Sequence, residues 1–123
     1  MKYYTEDHEW VEIIGESAVI GISQYAIDEF GDVTAVELPD DGDDFIIGDR
    51  IGSLETDSYT VELCAPICGS VVKVNEALID EPELLSESPE DKGWICKLID
   101  FDDSELDDMM NEDEYYKYLK SLD

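Results

Sequence analysis

The clearest period along the chain is two. In Thr60–Cys64 the apolar Val61 and Leu63 alternate with Thr60, Glu62 and Cys64, and an earlier apolar-containing run spans Ile51–Glu55. Such alternation predicts two half-buried strands. Between them lies the polar tip Thr56-Asp57-Ser58, closed by Tyr59. Asp and Ser suit a turn because their side chains bond nearby backbone groups. Ala65-Pro66-Ile67-Cys68-Gly69 then sets a second turn.

The same reading extends in both directions. Ala18, Ile20 and Ile22 share one face of Ser17–Ile22, and Gly15-Glu16 turns back to a strand running from near Trp10 to Ile14. Asp32–Leu38 is a further strand, ended by Pro39-Asp40-Asp41-Gly42. Phe45–Ile47 is a short apolar stretch, and Gly48-Asp49-Arg50 turns into the hairpin. Gly69–Asn75 places Val72 and Val74 on one face, and Trp94–Ile99 is the last strand.

The period becomes helical in two places. Ser23 is placed as an N-cap, Ala26 and Phe30 stand four apart, and Gly31 follows as the C-terminal glycine, giving about two turns. So short a helix must pack on the sheet to persist. Near the C-terminus, Ser104 with Asp107 and Asn111 with Glu114 have capping-box spacing. Tyr115, Tyr118, Leu119 and Leu122 form a helical stripe, with Glu112, Asp113 and Glu114 ahead of Lys117 and Lys120 as the helix dipole favours. Ala77–Leu85, broken by Pro82, reads as a loop that could hold one helical turn, and Ser86–Gly93 as a loop. Many short strands punctuated by Gly and Pro predict a mainly β sandwich or barrel with a C-terminal helix. One domain is expected over 1–123, with a β body at 1–99 and an acidic helical segment at 100–123.

Composition narrows the function. The chain has 123 residues, enough to bury roughly two-thirds of its unfolded surface. Its 43% hydrophobic content argues against an acidic disordered chain. It carries 34 Asp and Glu against 7 Lys and Arg, a formal charge of −27. Such a polyanion repels phosphate backbones and anionic lipid, so neither nucleic acid nor membrane is expected as a partner. The charge itself confers solubility before anything else. The opening MKYYTEDHEW has neither an apolar h-region nor an Arg-rich transit pattern. Three cysteines make no disulfide framework. A bacterial-type cytoplasmic protein with reduced thiols, monomeric, is expected.

Several motifs now combine. His8-Glu9-Trp10-Val11, Gly21-Ile22-Ser23-Gln24-Tyr25-Ala26, Gly31-Asp32-Val33 and Val36-Glu37-Leu38-Pro39 occur in order. Gly48-Asp49 with Gly52 and Glu55, Ala65-Pro66 with Gly69, Val74-Asn75-Glu76-Ala77-Leu78, Pro82-Glu83-Leu84 and Gly93-Trp94 follow. Met109-Met110 with Tyr115 and Leu119 completes the series. From about Tyr3 to Leu122 the chain resembles the H protein of the glycine cleavage system. The resemblance implies a lipoyl/biotinyl-carrier-like flattened barrel of two antiparallel sheets, a barrel-sandwich hybrid, with a short helix after Ser23 and a C-terminal helix. It also implies a carrier and not an enzyme. In that family a lipoyl group on one lysine takes an aminomethyl group from the P protein to the T protein, and the L protein reoxidises the dithiol.

The family's hairpin reads Glu-Ser-x-Lys-Ala or close to it. Here the matching positions are Glu55, Thr56, Asp57, Ser58 and Tyr59, so Ser58 stands where the acceptor lysine belongs. Between Lys2 and Lys73 the only Lys or Arg is Arg50. Lipoylation forms an amide from an amine; a serine hydroxyl would give a labile ester and is a weak nucleophile without a base. Arg50 cannot be deprotonated to attack. No lipoate is therefore expected, nor biotin on this hairpin. The expected role is a non-catalytic binding module for glycine cleavage P, T or L proteins or for lipoate-handling enzymes. The alternatives are a carrier loaded at a cysteine, Lys73 or Lys97, and an acidic decoy that sequesters a partner by charge.

Other groups make weaker constellations. His8, Glu9 and Trp10 could line a cleft, because the matching stretch in the family lies near the pocket that shelters the loaded arm; a lone histidine more commonly serves packing. Cys64 and Cys68, spaced C-x3-C, and Cys96 lack the partners of a zinc site and read as ordinary thiols, with no metal expected. Ser58, Thr56 and Tyr59 have no basic or proline-directed context for phosphorylation. Thirty-four acids make chance pairs certain, so no general acid/base couple stands out.

Overall fold

The computed structural model describes residues 2–58 and 60–122. The alternating segments form antiparallel strands β1 (Lys2–Tyr4), β2 (Glu9–Ile14), β3 (Ser17–Ile22), β4 (Val33–Glu37), β5 (Asp44–Phe45), β6 (Arg50–Thr56), β7 (Thr60–Cys64), β8 (Gly69–Val74) and β9 (Cys96–Ile99). They make a six-stranded sheet in the order β1-β2-β3-β9-β8-β5 and a three-stranded sheet in the order β4-β6-β7. The architecture is the mainly β, two-sheet one expected, although no strand ladder among the described residues closes the sheets into a barrel.

Apolar side chains of both sheets meet in one core, including Val11, Ile20, Val71 and Leu98 from one and Val33, Leu54 and Leu63 from the other. β3 is buried on both faces. Ala18, Ile20 and Ile22 enter that core, while Val19 joins Trp10, Tyr4 and Tyr115 in a second cluster. Gly21 and Gly52 are among the glycines that mark close approaches. A Cβ at Gly21 would lie 2.5 Å from the Trp10 ring, and one at Gly52 would lie 2.2 Å from the Glu37 carbonyl oxygen. Gly52 therefore lets β6 pack tightly against β4, where a methyl would meet backbone that cannot rotate away.

The helices explain the remaining pattern. α1 (Gln24–Phe30) starts at Ser23, whose Oγ accepts the Ala26 N–H, and ends at Gly31 with φ 85°. Ala77–Leu85 is more helical than expected. It holds α2 (Ala77–Asp80), and α3 (Glu83–Glu87) begins within it, directly after Pro82, whose fixed φ suits a helix start. The pairing of Ser104 with Asp107 does not cap a helix. Asp102 instead accepts the Ser104 N–H and starts a 3-10 helix over Asp103–Asp108. In β8 the expected pair does not share a face: Val72 is 41% exposed, while Val74 packs against the core that Val71, 1% exposed, enters. The register slips between Val71 and Lys73, a bulge that re-aims successive side chains.

α4 (Glu112–Ser121) has the expected capping box: Asn111 Oδ1 accepts the Glu114 N–H, and the Glu114 carboxylate accepts the Asn111 N–H. Of the stripe, Tyr115 is buried, Tyr118 and Leu119 are half-buried, and Leu122 is 46% exposed. Asn111→Ala should lower stability by about 1 kcal/mol in urea unfolding, the usual worth of such a cap. A loss indistinguishable from zero would mean that packing alone holds α4. No helix among the described residues is long and apolar enough to cross a membrane.

Candidate functional site

The β6–β7 hairpin forms as its alternation requires, with Glu55 opposite Thr60 and Leu54 opposite Val61. Leu54 and Leu63 enter the core while Glu55, Asp57 and Ser58 are exposed. The Thr56 hydroxyl accepts the Ser58 N–H at 3.3 Å, and the Glu55 carbonyl accepts the Thr34 hydroxyl at 3.2 Å. Tyr59, expected to close the tip, lies outside the described residues. Of the tip's described side chains, Thr56 and Ser58 offer hydroxyls and Asp57 a carboxylate. None offers an amine.

The nearest cation in sequence is Arg50, at the opposite end of β6. Its Nη1 donates to Glu37 Oε1 at 3.1 Å, and its Nε lies 3.8 Å from Glu62 Oε1. The hydrogen bond and charge of Glu37 raise its pKa further. Lys73 and Lys97 face each other across β8 and β9, within the sheet and not at a loop tip. Lys97 Nζ stands 5.2 Å over the Trp94 ring. Lys2 Nζ donates to the Glu90 carbonyl at 2.6 Å, pairs with its carboxylate at 3.6 Å and stands over Trp10.

His8, Glu9 and Trp10 do not line one cleft. Strand alternation sends Glu9 to one face of β2 and Trp10 to the other. Trp10 is 1% exposed, and its indole N–H reaches the Ile22 and Pro89 carbonyls at 3.0 and 3.1 Å. Glu9, 6% exposed, crosses to the other sheet, where Oε2 accepts the Cys64 N–H at 3.0 Å. Its Oε1 lies 3.4 Å from the Thr5 hydroxyl. Burial outweighs these bonds and pushes the carboxyl up to about 7. From Cys64, β7 runs back to Thr60, about 13 Å along the strand, before the tip is reached. The buried acid and the hairpin tip are thus separate places.

His8 sits at φ 70° before β2. Its Nδ1 is 2.8 Å from the Tyr115 hydroxyl, which is also 2.7 Å from Ser23 Oγ. Burial lowers the His8 pKa, against the charges of Asp7 and Glu29, and raises that of Tyr115 to about 12. At neutral pH one set of directions satisfies every group. Ser23 donates to Tyr115, Tyr115 donates to neutral His8, and Ser23 accepts the Ala26 N–H. The histidine's accepting nitrogen is thus occupied by the tyrosine that anchors α4.

This network and the Glu9–Cys64 bond are functional-looking features that sequence reasoning did not reach. The one available signal was parity: Glu9 shares its face with Val11, which is core. The cysteines are held as thiols. Burial raises the pKa of Cys96 to about 12 and raises those of Cys64 and Cys68 as well. Among the described residues no group of three or more His, Cys, Asp or Glu is arranged to hold a metal.

Against this geometry, known proteins give a consistent picture. The sequence profile described as Glycine cleavage H-protein matches residues 2–122. The glycine cleavage system H protein of Listeria monocytogenes serotype 4a (strain HCC23) is 46% identical over 116 residues, covering 94% of this chain and 93% of that one. That of Staphylococcus carnosus (strain TM300) is 45% identical over 116 residues, covering 94% and 92%. The crystal structure of a glycine cleavage system H protein from Mycobacterium marinum superposes with a TM-score of 0.86 at 28% identity, covering 97% of this chain and 96% of that one.

Proposed function

The chain belongs to the glycine cleavage H-protein family, and from that premise we propose that it is a non-catalytic member degenerate at the lipoyl-lysine, acting as a binding module for glycine-cleavage or lipoate-handling proteins. One observation carries this reading. The exposed tip, where the family resemblance places the acceptor amine, presents Ser58 between Asp57 and Tyr59. The residues present do not fit lipoate: a hydroxyl replaces the amine, and a hydroxyl would give a labile ester where the family forms an amide. Framework motifs persist along the whole chain, which fits retention of a protein-contacting surface toward P, T or L proteins after loss of the arm.

A carrier loaded elsewhere has less support. Lys73 and Lys97 lie within paired strands, where a swinging arm has no exposed tip to leave from. The thiols of Cys64 and Cys68 are shifted away from the thiolate form that would attack.

Incubation of the native chain and of Ser58→Lys with a lipoate-protein ligase, ATP and lipoate, followed by intact-mass measurement, tests the proposal. The native chain should gain no lipoyl mass and the lysine variant should gain one. A lipoyl adduct on any residue of the native chain sinks it. Failure of the variant to load, with the fold intact, would show that the recognition surface as well as the amine has gone.

A further inference from the structure

An apolar hollow lies where the chain returns from β5, past the turn after β7, to the segment before α4. Ile47, Pro66, Met109 and Met110 supply its apolar wall, around a cavity of about 170 Å³. Both sides are held in place. Tyr4 and Met110 exchange two backbone hydrogen bonds, at 2.7 and 2.9 Å. Ile46 and Ile47 sit in a tight turn, where Asp49 Oδ2 accepts the Ile46 N–H at 3.0 Å and the Ala65 carbonyl accepts the Gly48 N–H at 2.9 Å. These two isoleucines are nevertheless 68% and 53% exposed. Two adjacent exposed isoleucines beside a hollow make an apolar patch on a surface rich in acids.

The rim is acidic. Glu6, Glu105 and Asp108 line the hollow, and no lysine or arginine does. Glu105 Oε1 accepts the Cys68 N–H at 2.8 Å, so one rim acid is committed. Glu6 and Asp108 are exposed and have no ion-pair partner among the described residues. The volume admits one side chain rather than a helix. Its walls favour an apolar stem, and its rim favours a cationic head. Arginine and lysine have that shape, with a stem that packs and a head that stays at the water boundary. The two methionines can adapt to either.

We infer that this hollow is an anchor pocket for a single arginine or lysine side chain, flanked by apolar residues, on a partner protein. A second copy of the chain is disfavoured by its own charge of −27, and the same field repels nucleic acid and anionic lipid. The inference rests on the binding-module reading and names the chemistry of the partner. The two fail separately, because a lipoyl adduct on the native chain would overturn that reading and leave this pocket untouched.

Met109 and Met110 are two of only three methionines, so methyl-13C labelling of methionine reports directly on the pocket. The probe is the peptide acetyl-Leu-Arg-Leu-amide, compared with its citrulline twin, which keeps the stem and loses the charge. The Met109 and Met110 methyl resonances should move saturably with a dissociation constant of about 1 mM or tighter, and the citrulline peptide should bind about tenfold more weakly. The double variant Glu6→Gln, Asp108→Asn changes only exposed side chains. It should bring the arginine peptide down to the citrulline level, and about 0.5 M salt should do much the same. Absence of saturable movement overturns the inference, as does equal binding of the two peptides or unchanged binding by the double variant.

Discussion

Tyr115→Ala should lower the stability of the chain by about 3–5 kcal/mol, the range for removing a buried aromatic side chain. The residue is 2% exposed, and its ring stacks on Tyr4 with centroids 4.3 Å apart and planes 2° from parallel. Truncation empties that space. It also strips the partner from Ser23 Oγ, on a residue with no exposed surface, and from His8 Nδ1. A buried hydroxyl left short of a partner adds a desolvation cost to the cavity cost. Tyr115→Phe separates the two, since it keeps the ring and removes the hydroxyl, and should cost about 1–2 kcal/mol. Urea unfolding of both variants at neutral pH provides the check. A loss below about 1 kcal/mol for the alanine variant would mean that α4 contributes little to the fold, against the ordinary worth of a buried aromatic.

The prominence of Tyr115 shows which parts of the molecule could be read from sequence. The stripe of Tyr115, Tyr118 and Leu119 indicated that α4 packs, and Asn111 with Glu114 located its start, because caps and stripes are local. The identity of the receiving surface was not local. Tyr4, His8 and Ser23 lie about ninety to a hundred and eleven positions earlier in the chain, and no period connects them. β1 was missed for a similar reason: three residues carry too little alternation, and its pairing depends on β2 and Met110. The β8 bulge was invisible because one extra residue inverts the parity on which the reading relied. At the hairpin, local chemistry was sufficient. Leu54 and Leu63 inward, Glu55 and Ser58 outward, and the absence of an amine at the tip were all legible. Parity places Glu9 opposite Trp10; what the sequence could not supply was its partner, the Cys64 N–H on the other sheet, 55 positions away.

That cross-sheet acid supplies the second large effect, and its sign follows from the direction of its shift. Burial raises the Glu9 carboxyl from an ordinary 4.5 to about 7. The folded chain therefore binds a proton that the unfolded chain has released over that interval. Stability from this group falls as pH rises from about 4.5 to 7, and above 7 the full cost of a buried carboxylate is present. The interval corresponds to about 3 kcal/mol as an upper bound. Glu9→Gln is neutral throughout and keeps a carbonyl oxygen for the Cys64 N–H. In unfolding measurements at constant salt, the glutamine variant should exceed the native chain by less than about 1 kcal/mol near pH 5. At pH 8 it should exceed it by up to about 3 kcal/mol. The remaining acids are common to both proteins, so their titration cancels in the difference. A difference that stays constant from pH 5 to pH 8 would show that Glu9 ionises as an ordinary carboxylate. The bond to Cys64 would then be charged at every pH at which the protein works, and the acid would join the two sheets without any titration near neutrality. A difference that opens with pH would instead make this junction a place where the contact between the two sheets weakens as pH rises through neutrality. In that case the acid's neighbours, Asp7 and Thr5, which respectively raise and lower its proton affinity, set where the loosening begins.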